Sequence, residues 1–370
     1  MKIGVITCHA VFNYGAALQA FALSTYLQEC GHSVETINYI PEYFNHRYNF
    51  WYRNPKSRFY KIFKLSKVLF LPFALYNYYI KQLYKRVKPF REFEHQYLKL
   101  SKLYTDCVAI VNDYPGYDCV IAGSDQIWNS FLSNGKDPAF YLEFAPKGVR
   151  RVAYAASFGS TQINQEFLKE VSSWLKKIDY LSVRESSGVG LLNQCGVDGV
   201  QVMDPVFLLT SQEWIQKLPI RKFEEDYIIV YDLSENNTDI ADYAKWLSGE
   251  TGYKIISVND RKQRQYADKN INDAGPVEFL SYLAHADYVV TTSFHASALS
   301  LIFEKELYTF SNKGANNSNR MAELLALVGV DSRFNPEQKL YPKIDYSKVN
   351  MIKRAKIVES KKYLNNSIDG

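Results

Sequence analysis

At 370 residues the chain is long for one hydrophobic core, which predicts two domains, and its 47% hydrophobic content is that of an ordinary soluble globular protein. The five cysteines, Cys8, Cys30, Cys107, Cys119 and Cys195, show no Cys-x-x-Cys or other paired spacing, which argues against a zinc or disulfide framework and for a reducing compartment. The net charge of +5 is uneven: residues 46–102 hold 14 Lys or Arg against Glu92 and Glu94, a balance of +12, so the remainder carries −7 and the basicity belongs to one segment.

Lys2 to Thr7 reads as a strand, its apolar run ending too soon at His9 for a signal peptide. A loop from His9 to Gly15 leads to a helix from Ala16 to Glu29, stopped by Gly31, and Ser33 to Tyr39 is a second strand. This βαβ unit implies a parallel sheet. Its loop lacks Gly-x-Gly-x-x-Gly, so a dinucleotide fingerprint is absent. Between residues 41 and 102 the alternation stops, and aromatic and basic residues interleave (Trp51, Tyr52, Tyr78 and Tyr79 among the aromatics) with helical spacing from about Ser57. Two readings of this excursion stay open: aromatics packed onto the domain with Lys and Arg in water, or an interfacial surface for anionic lipid. A single-stranded nucleic-acid groove is a third, but no nucleic-acid motif supports it. The longest apolar run, Val68 to Tyr76, is broken by Pro72 and too short to span a bilayer.

Strands return at Asp118 to Ala122, Arg151 to Ser157, Tyr180 to Val183 and Val200 to Met203, with helices at Gln165 to Lys177 and up to Gln194. These strand ends carry Gly123-Ser-Asp-Gln-Ile-Trp-Asn129, Arg184 and Asp204. Parallel strands put such ends on one edge of a sheet, where ligands bind. Asp204, before Pro205, reads first as a turn residue. The charged stretch Pro219 to Asp226 breaks the pattern and predicts a domain boundary. The expected layout is thus an N-terminal domain over 1–218, a C-terminal domain over 219–347 and a terminal helix over 348–370 packing back on the first domain. Within the second domain, strands are expected at Tyr227 to Asp232, Lys254 to Val258, Tyr288 to Thr292 and Leu307 to Phe310, and helices at Asp239 to Thr251, Val277 to Ala286, Ala296 to Phe303 and Arg320 to Val328.

The stretch from Asp287 to Glu304 organises this second half. A buried strand gives way through Thr292, Ser293, Phe294 and His295 to a helix of small and aliphatic residues. A helix starting there aims free N–H groups and a partial positive charge at a ligand. His295 is the candidate proton-transfer group, beside Ser293 and Ser297; the competing reading makes Ser293 a helix cap and His295 a packed side chain. Arg184 from the first half could face it across a cleft, as a fixed fork for carboxylate or phosphate. The polar loop from Ser311 to Arg320 either closes over a ligand or is a solvated connection.

Several short motifs in order, Asn13-Tyr-Gly-Ala, Gly123-Ser-Asp-Gln-Ile-Trp-Asn129, Val183-Arg-Glu-Ser-Ser-Gly188, Asp204-Pro205 and Thr292-Ser-Phe-His295, resemble the polysaccharide pyruvyl transferase family from about Ile3 to the 320s. The resemblance implies two doubly wound, Rossmann-like α/β domains facing across a cleft, similar to the two-domain (GT-B-like) glycosyltransferase arrangement. It implies a cytoplasmic transferase, at the inner face of the membrane if the basic segment docks there, which moves the pyruvyl skeleton of phosphoenolpyruvate onto two hydroxyls of a sugar in a cell-surface polysaccharide or its lipid-linked precursor. The products are a cyclic ketal and phosphate. No cofactor or metal is required beyond the donor itself. The family's histidine falls on His295, as catalytic residue, and its arginine on Arg184, as donor ligand. Asn13, Tyr14, Gly15, Ser124, Asp125 and Gln126 fall on the substrate side. Some members carry Arg two residues before the histidine, where this chain has Ser293; Lys313 or Arg320 could replace that charge. Two other functions remain open at this stage: a nucleotide-sugar-dependent glycosyltransferase, and a non-catalytic sugar-binding relative.

Overall fold

The computed structural model describes residues 1–44, 50, 60, 66–76, 78, 83–234, 237–259, 263–312 and 318–370. Six strands, β1 (Lys2–Ile6), β2 (Ser33–Thr36), β3 (Cys119–Ala122), β4 (Arg150–Ala156), β5 (Tyr180–Val183) and β6 (Val200–Gln201), form one parallel sheet in the order β2-β1-β3-β4-β5-β6. Five more, β7 (Tyr227–Tyr231), β8 (Lys254–Val258), β9 (Lys269–Ile271), β10 (Tyr288–Thr291) and β11 (Glu306–Thr309), form a second parallel sheet in the order β11-β10-β7-β8-β9. Each sheet is covered on both faces. On the first, Ile3, Val5 and Ile121 pack on one side and Ile6, Val120 and Ala122 on the other. On the second, Ile229 and Val289 lie opposite Ile228 and Val230. The strands are therefore near-continuous apolar runs, as buried parallel strands must be, and the chain is an α/β protein of two doubly wound sheets.

Chain order reverses between β1 and β3 in the first sheet and between β7 and β10 in the second. These switch points are where an open α/β sheet leaves a crevice at its carboxyl ends. Helix α1 (Tyr14–Glu29) rises from the first crevice. Asn13 caps it by accepting the N–H of Ala16, so it begins two residues earlier than its apolar pattern suggests. Fourteen of its sixteen residues are buried, because it packs on the first sheet through Leu23 and Leu27 and on the second domain through Leu18 and Phe21.

The excursion contains two described helices, α2 (Lys67–Leu75) and α3 (Leu83–Tyr97). Helix α3 buries Val87, Phe90 and Phe93 in the core shared by both domains. Trp51, Tyr52 and Tyr79 lie outside the described residues. Further helices are α4 (Cys107–Asn112), α5 (Leu168–Leu175), α6 (Ser186–Gln194), α7 (Ser211–Lys217), α8 (Thr238–Thr251), α9 (Pro276–His285), α10 (Phe294–Ile302) and α11 (Ser318–Leu327). The sequence reading missed α4, α7 and β9. All three are short, and β9 is an edge strand, Lys-Asn-Ile, with no apolar alternation. For α7 a signal existed: Thr210 and Glu213 form a reciprocal capping box.

The last helix, α12 (Tyr346–Asp369), differs from a cap on one domain. Its start is tied to the second domain, where Lys353 Nζ donates to the carbonyl of Leu301 at 2.7 Å and Val349 joins the shared core. Its end lies on the first sheet, with Leu364 and Ile368 among Ile3, Val5 and Ile121. It is a strap across both halves.

Candidate active site

Three strand ends bring a charged cluster together where the two crevices face. Arg184 follows β5, Asp204 follows β6, and His295 is the second residue of α10, just after β10. Arg184 Nη1 donates to Asp204 Oδ2 at 2.8 Å, and Ser124 Oγ donates to the same oxygen at 2.9 Å. His295 Nε2 lies 3.4 Å from that oxygen and 3.3 Å from Arg184 Nη1. The other Asp204 oxygen accepts the N–H of Val206, opening the 3-10 turn Pro205–Leu208, which wedges against α1 and α10. His295 Nε2 thus has a partner in either state. Protonated, it can donate to the carboxylate; unprotonated, it can accept from the guanidinium.

Arg184, Asp204 and His295 are all buried. Burial would raise the Asp204 carboxyl, but the His295 imidazole and the Arg184 guanidinium hold it well below the usual carboxylate range. Burial likewise works against charge on Arg184, and Asp204 and Glu185 outweigh it. The Arg184 guanidinium stacks 4.2 Å over the Phe294 ring.

One edge of Arg184 is unsatisfied. Its Nε and Nη2 are buried and form no hydrogen bond with the described residues, although Glu185 Oε2 stands 3.6 Å from Nε. Those two N–H groups form the side-on fork that grips a two-oxygen anion. Arg320, on α11 of the second domain, lines the same pocket, and its buried Nε is also without a hydrogen-bond partner among the described residues. Burial and the nearby Arg184 lower Arg320 to about 10, so both guanidinium groups stay charged at neutral pH. Three carboxylates share the pocket: Asp204 bonds Arg184 Nη1, and Glu185 and Glu323 each accept hydrogen bonds from serines as well. Glu185 Oε1 accepts from Ser157 Oγ at 2.7 Å, and Glu323 Oε2 accepts the N–H and hydroxyl of Ser186, each at 2.8 Å. The free room between Arg184, Phe294 and Arg320 is about 20 Å³, enough for roughly one water molecule. A second, more open pocket of about 430 Å³ lies beside Asp125 and Gln126, with Tyr43, Phe44 and Asn134 in its walls.

The other sequence-selected residues divide. Gly15 touches the site by having no side chain: a Cβ there would lie 2.1 Å from His295 Nδ1. Ser124 holds Asp204, and Asp125, its neighbour, adopts φ 74° and accepts the N–H of Gln126. Asn13 is the α1 cap. Tyr14 turns into the boundary between the domains. It is wholly buried, stacked at 4.2 Å on Phe279 of the second domain and donating to the carbonyl of Ala274; its ring is apolar glue between domains. Ser293 caps α10, its Oγ accepting the N–H of Ala296, so its side chain is committed to the helix. Lys313 lies outside the described residues. Sequence reasoning undervalued Asp204, the carboxylate on which Arg184, Ser124 and His295 converge. It also passed over Glu185 and Phe294, although each directly adjoins a residue it had chosen.

A family model, "Polysaccharide pyruvyl transferase", matches residues 13–314. No protein of curated function matches the chain. Among solved structures, the chain is similar to UDP-GlcNAc 2-epimerase of Methanocaldococcus jannaschii in complex with UDP-GlcNAc and UDP (12% identity, 96% of this chain and 99% of that one, TM-score 0.43). It is also similar to the E. coli heptosyltransferase WaaC with ADP-2-deoxy-2-fluoro heptose (13%, 84% and 88%, TM-score 0.39) and to Arabidopsis thaliana UGT89C1 complexed with quercetin (10%, 100% and 94%, TM-score 0.46). The family match runs from the cap of α1 through β5, Asp204 and His295 to the loop before α11, and the chain belongs to the polysaccharide pyruvyl transferase family, an enzyme family whose reaction is pyruvyl transfer to polysaccharide.

Proposed function

We propose that the chain transfers the pyruvyl group of phosphoenolpyruvate to two hydroxyls of one sugar, forming a ketal and releasing phosphate. The observation that carries this reading is the fork of Arg184 beside the Nε of Arg320, both without a hydrogen-bond partner among the described residues, two buried cations from opposite domains around one pocket. Such an arrangement stabilises an anion bearing several oxygens, and the donor presents a carboxylate and a phosphate. Arg320 supplies the second positive charge that Ser293 does not.

In this scheme His295 Nε2 gives a proton to the donor methylene carbon as an acceptor hydroxyl attacks the adjacent carbon. The hydroxyl proton passes to the imidazole. The carbon–oxygen bond to phosphate then breaks, the second hydroxyl adds, and its proton leaves with the phosphate. One hydroxyl proton ends in the new methyl group and one on phosphate, so the imidazole is restored. Asp204 and Ser124 orient the cluster. The pocket beside Asp125 and Gln126, with aromatic and amide walls, suits the acceptor sugar.

Thermal stabilisation by phosphoenolpyruvate, phosphate and nucleoside diphosphates tests the donor. At a hundred times its dissociation constant a true donor adds about 2.7 kcal/mol. Arg184→Ala and Arg320→Ala should each weaken phosphoenolpyruvate by about 1.5–3 kcal/mol, while His295→Ala abolishes turnover and keeps donor binding. Stabilisation by nucleoside diphosphates alone would instead select a glycosyltransferase. Donor binding without turnover on any acceptor would select a sugar-binding protein.

A further inference from the structure

Helix α2 presents its apolar residues to the wrong phase for a water-facing helix. Val68, Leu69, Leu71 and Leu75 are exposed, from 39% at Leu71 to 77% at Val68, and Phe73 and Tyr76 are exposed with them. Phe70 and Ala74 are the helix's buried residues. Scattered exposed aliphatics are ordinary, but a contiguous set on one nine-residue helix marks an interaction surface. A helix that short is marginal in water on its own propensity, and one that is apolar around most of its circumference belongs in a core or a membrane.

The surroundings name the occupant. Residues 46–102 carry a balance of +12 while the rest of the chain carries −7. Lys67, at the start of α2, and Lys88 and Arg91, on α3, the next described helix in the chain, are exposed. A second copy of the chain would set two such segments face to face in repulsion. An anionic bilayer answers both features, taking the aliphatic side chains into its interface and the cations at its headgroups. Among the described residues no helix is long and apolar enough to cross a membrane, so the contact is with the surface.

We propose that α2 and the exposed cations beside it dock this enzyme on anionic membrane. The contact is independent of the donor, because vesicle binding requires no turnover. The test is sedimentation of the full chain with phosphatidylcholine vesicles and with vesicles that also contain phosphatidylglycerol, at low and high salt. Binding should appear with phosphatidylglycerol and weaken with salt. Leu69→Ser with Leu71→Ser should weaken it by at least about tenfold, since their exposed parts together amount to about one whole leucine side chain, worth a decade or more when buried. The same variant should keep its circular dichroism and its thermal shift with phosphoenolpyruvate. Lys67→Glu with Lys88→Glu should remove the preference for phosphatidylglycerol. Equal or absent binding to both lipids overturns the proposal. So does a wild-type dimer that the leucine substitutions dissociate without any effect on vesicles, which would make the face a contact between copies.

Discussion

Gly15→Ala separates the geometry of the site from its chemistry. The new methyl group would start 2.1 Å from His295 Nδ1 and 2.3 Å from Cγ. Non-bonded heavy atoms rest at roughly 3.5 Å, so the imidazole must retreat by more than about 1 Å. Its far side is occupied, with Nε2 within 3.4 Å of Asp204 and 3.3 Å of Arg184. It can only tilt out of line. A displacement of about 1 Å from productive geometry can cost on the order of a hundredfold in rate. The effect on folding is smaller, because about 1–3 kcal/mol of overpacking is offset by about 1 kcal/mol from replacing a helical glycine with alanine. The assay is phosphate release from phosphoenolpyruvate with the host polysaccharide as acceptor, beside a thermal melt. Turnover should fall about a hundredfold with the fold intact. Near wild-type turnover would show that the position of His295 does not limit the reaction, and would refute the reasoning.

Asp204→Asn should destabilise the fold by about 3–5 kcal/mol in urea melts, because it leaves Arg184 buried without its carboxylate. Since the folded-state pKa of Asp204 is depressed, its stabilisation is present above the unfolded value of about 3.9 and lost as pH falls through the folded value, so the gap between wild type and variant should narrow only in acid. Glu94 behaves oppositely. Burial pushes it up to about 7, against the nearby Arg91, and its Oε1 has no hydrogen-bond partner among the described residues. Stability should therefore fall as pH rises from the unfolded value of about 4.3 to about 7, and Glu94→Gln should raise the melting temperature at pH 8 but little at pH 4. Ser293→Ala should cost about 1 kcal/mol of stability, as lost caps do, and leave phosphoenolpyruvate affinity unchanged; a large loss of affinity would return Ser293 to the donor site.

Most strands of the two sheets were legible because buried parallel strands are written as runs of β-branched and aromatic residues, and their ends fall beside recognisable polar clusters. Arg184 and His295 could be chosen for the same reason, Arg184 standing one residue past β5 and His295 four past β10. Asp204 could not be ranked, since a carboxylate before proline is also what a turn needs, and only burial distinguishes the two uses. Tyr14 misled in the opposite sense. It sits inside a loop-to-helix motif beside the ligand crevice, yet its ring points into Phe279 and Phe90, and nothing local to Asn13, Tyr14 and Gly15 says which of three neighbours faces the site. The strap made by α12 was legible as a helix but not as a bridge, because its two contacts lie on surfaces far apart in sequence.

The pocket between Arg184 and Arg320 holds about one water, so its walls must part before a donor enters. The domains as wholes are poorly placed to swing. Tyr14 and Phe279 stack across their boundary, α1 and α3 bury apolar side chains in a shared core, and α12 is anchored on both sides. Large apolar interfaces of this kind resist relative motion. The α11 wall belongs to the same core through Met321, Leu324 and Leu325, and only its rim is held by polar contacts. There Glu323 accepts two hydrogen bonds from Ser186 at an exposed position, and exposed polar contacts are individually weak because water replaces them at little cost. Opening therefore falls to the Ser186–Glu323 contact and the Arg320 side chain rather than to α11 as a whole, and the Arg184, Asp204 and His295 cluster, which belongs to other elements, stays in place.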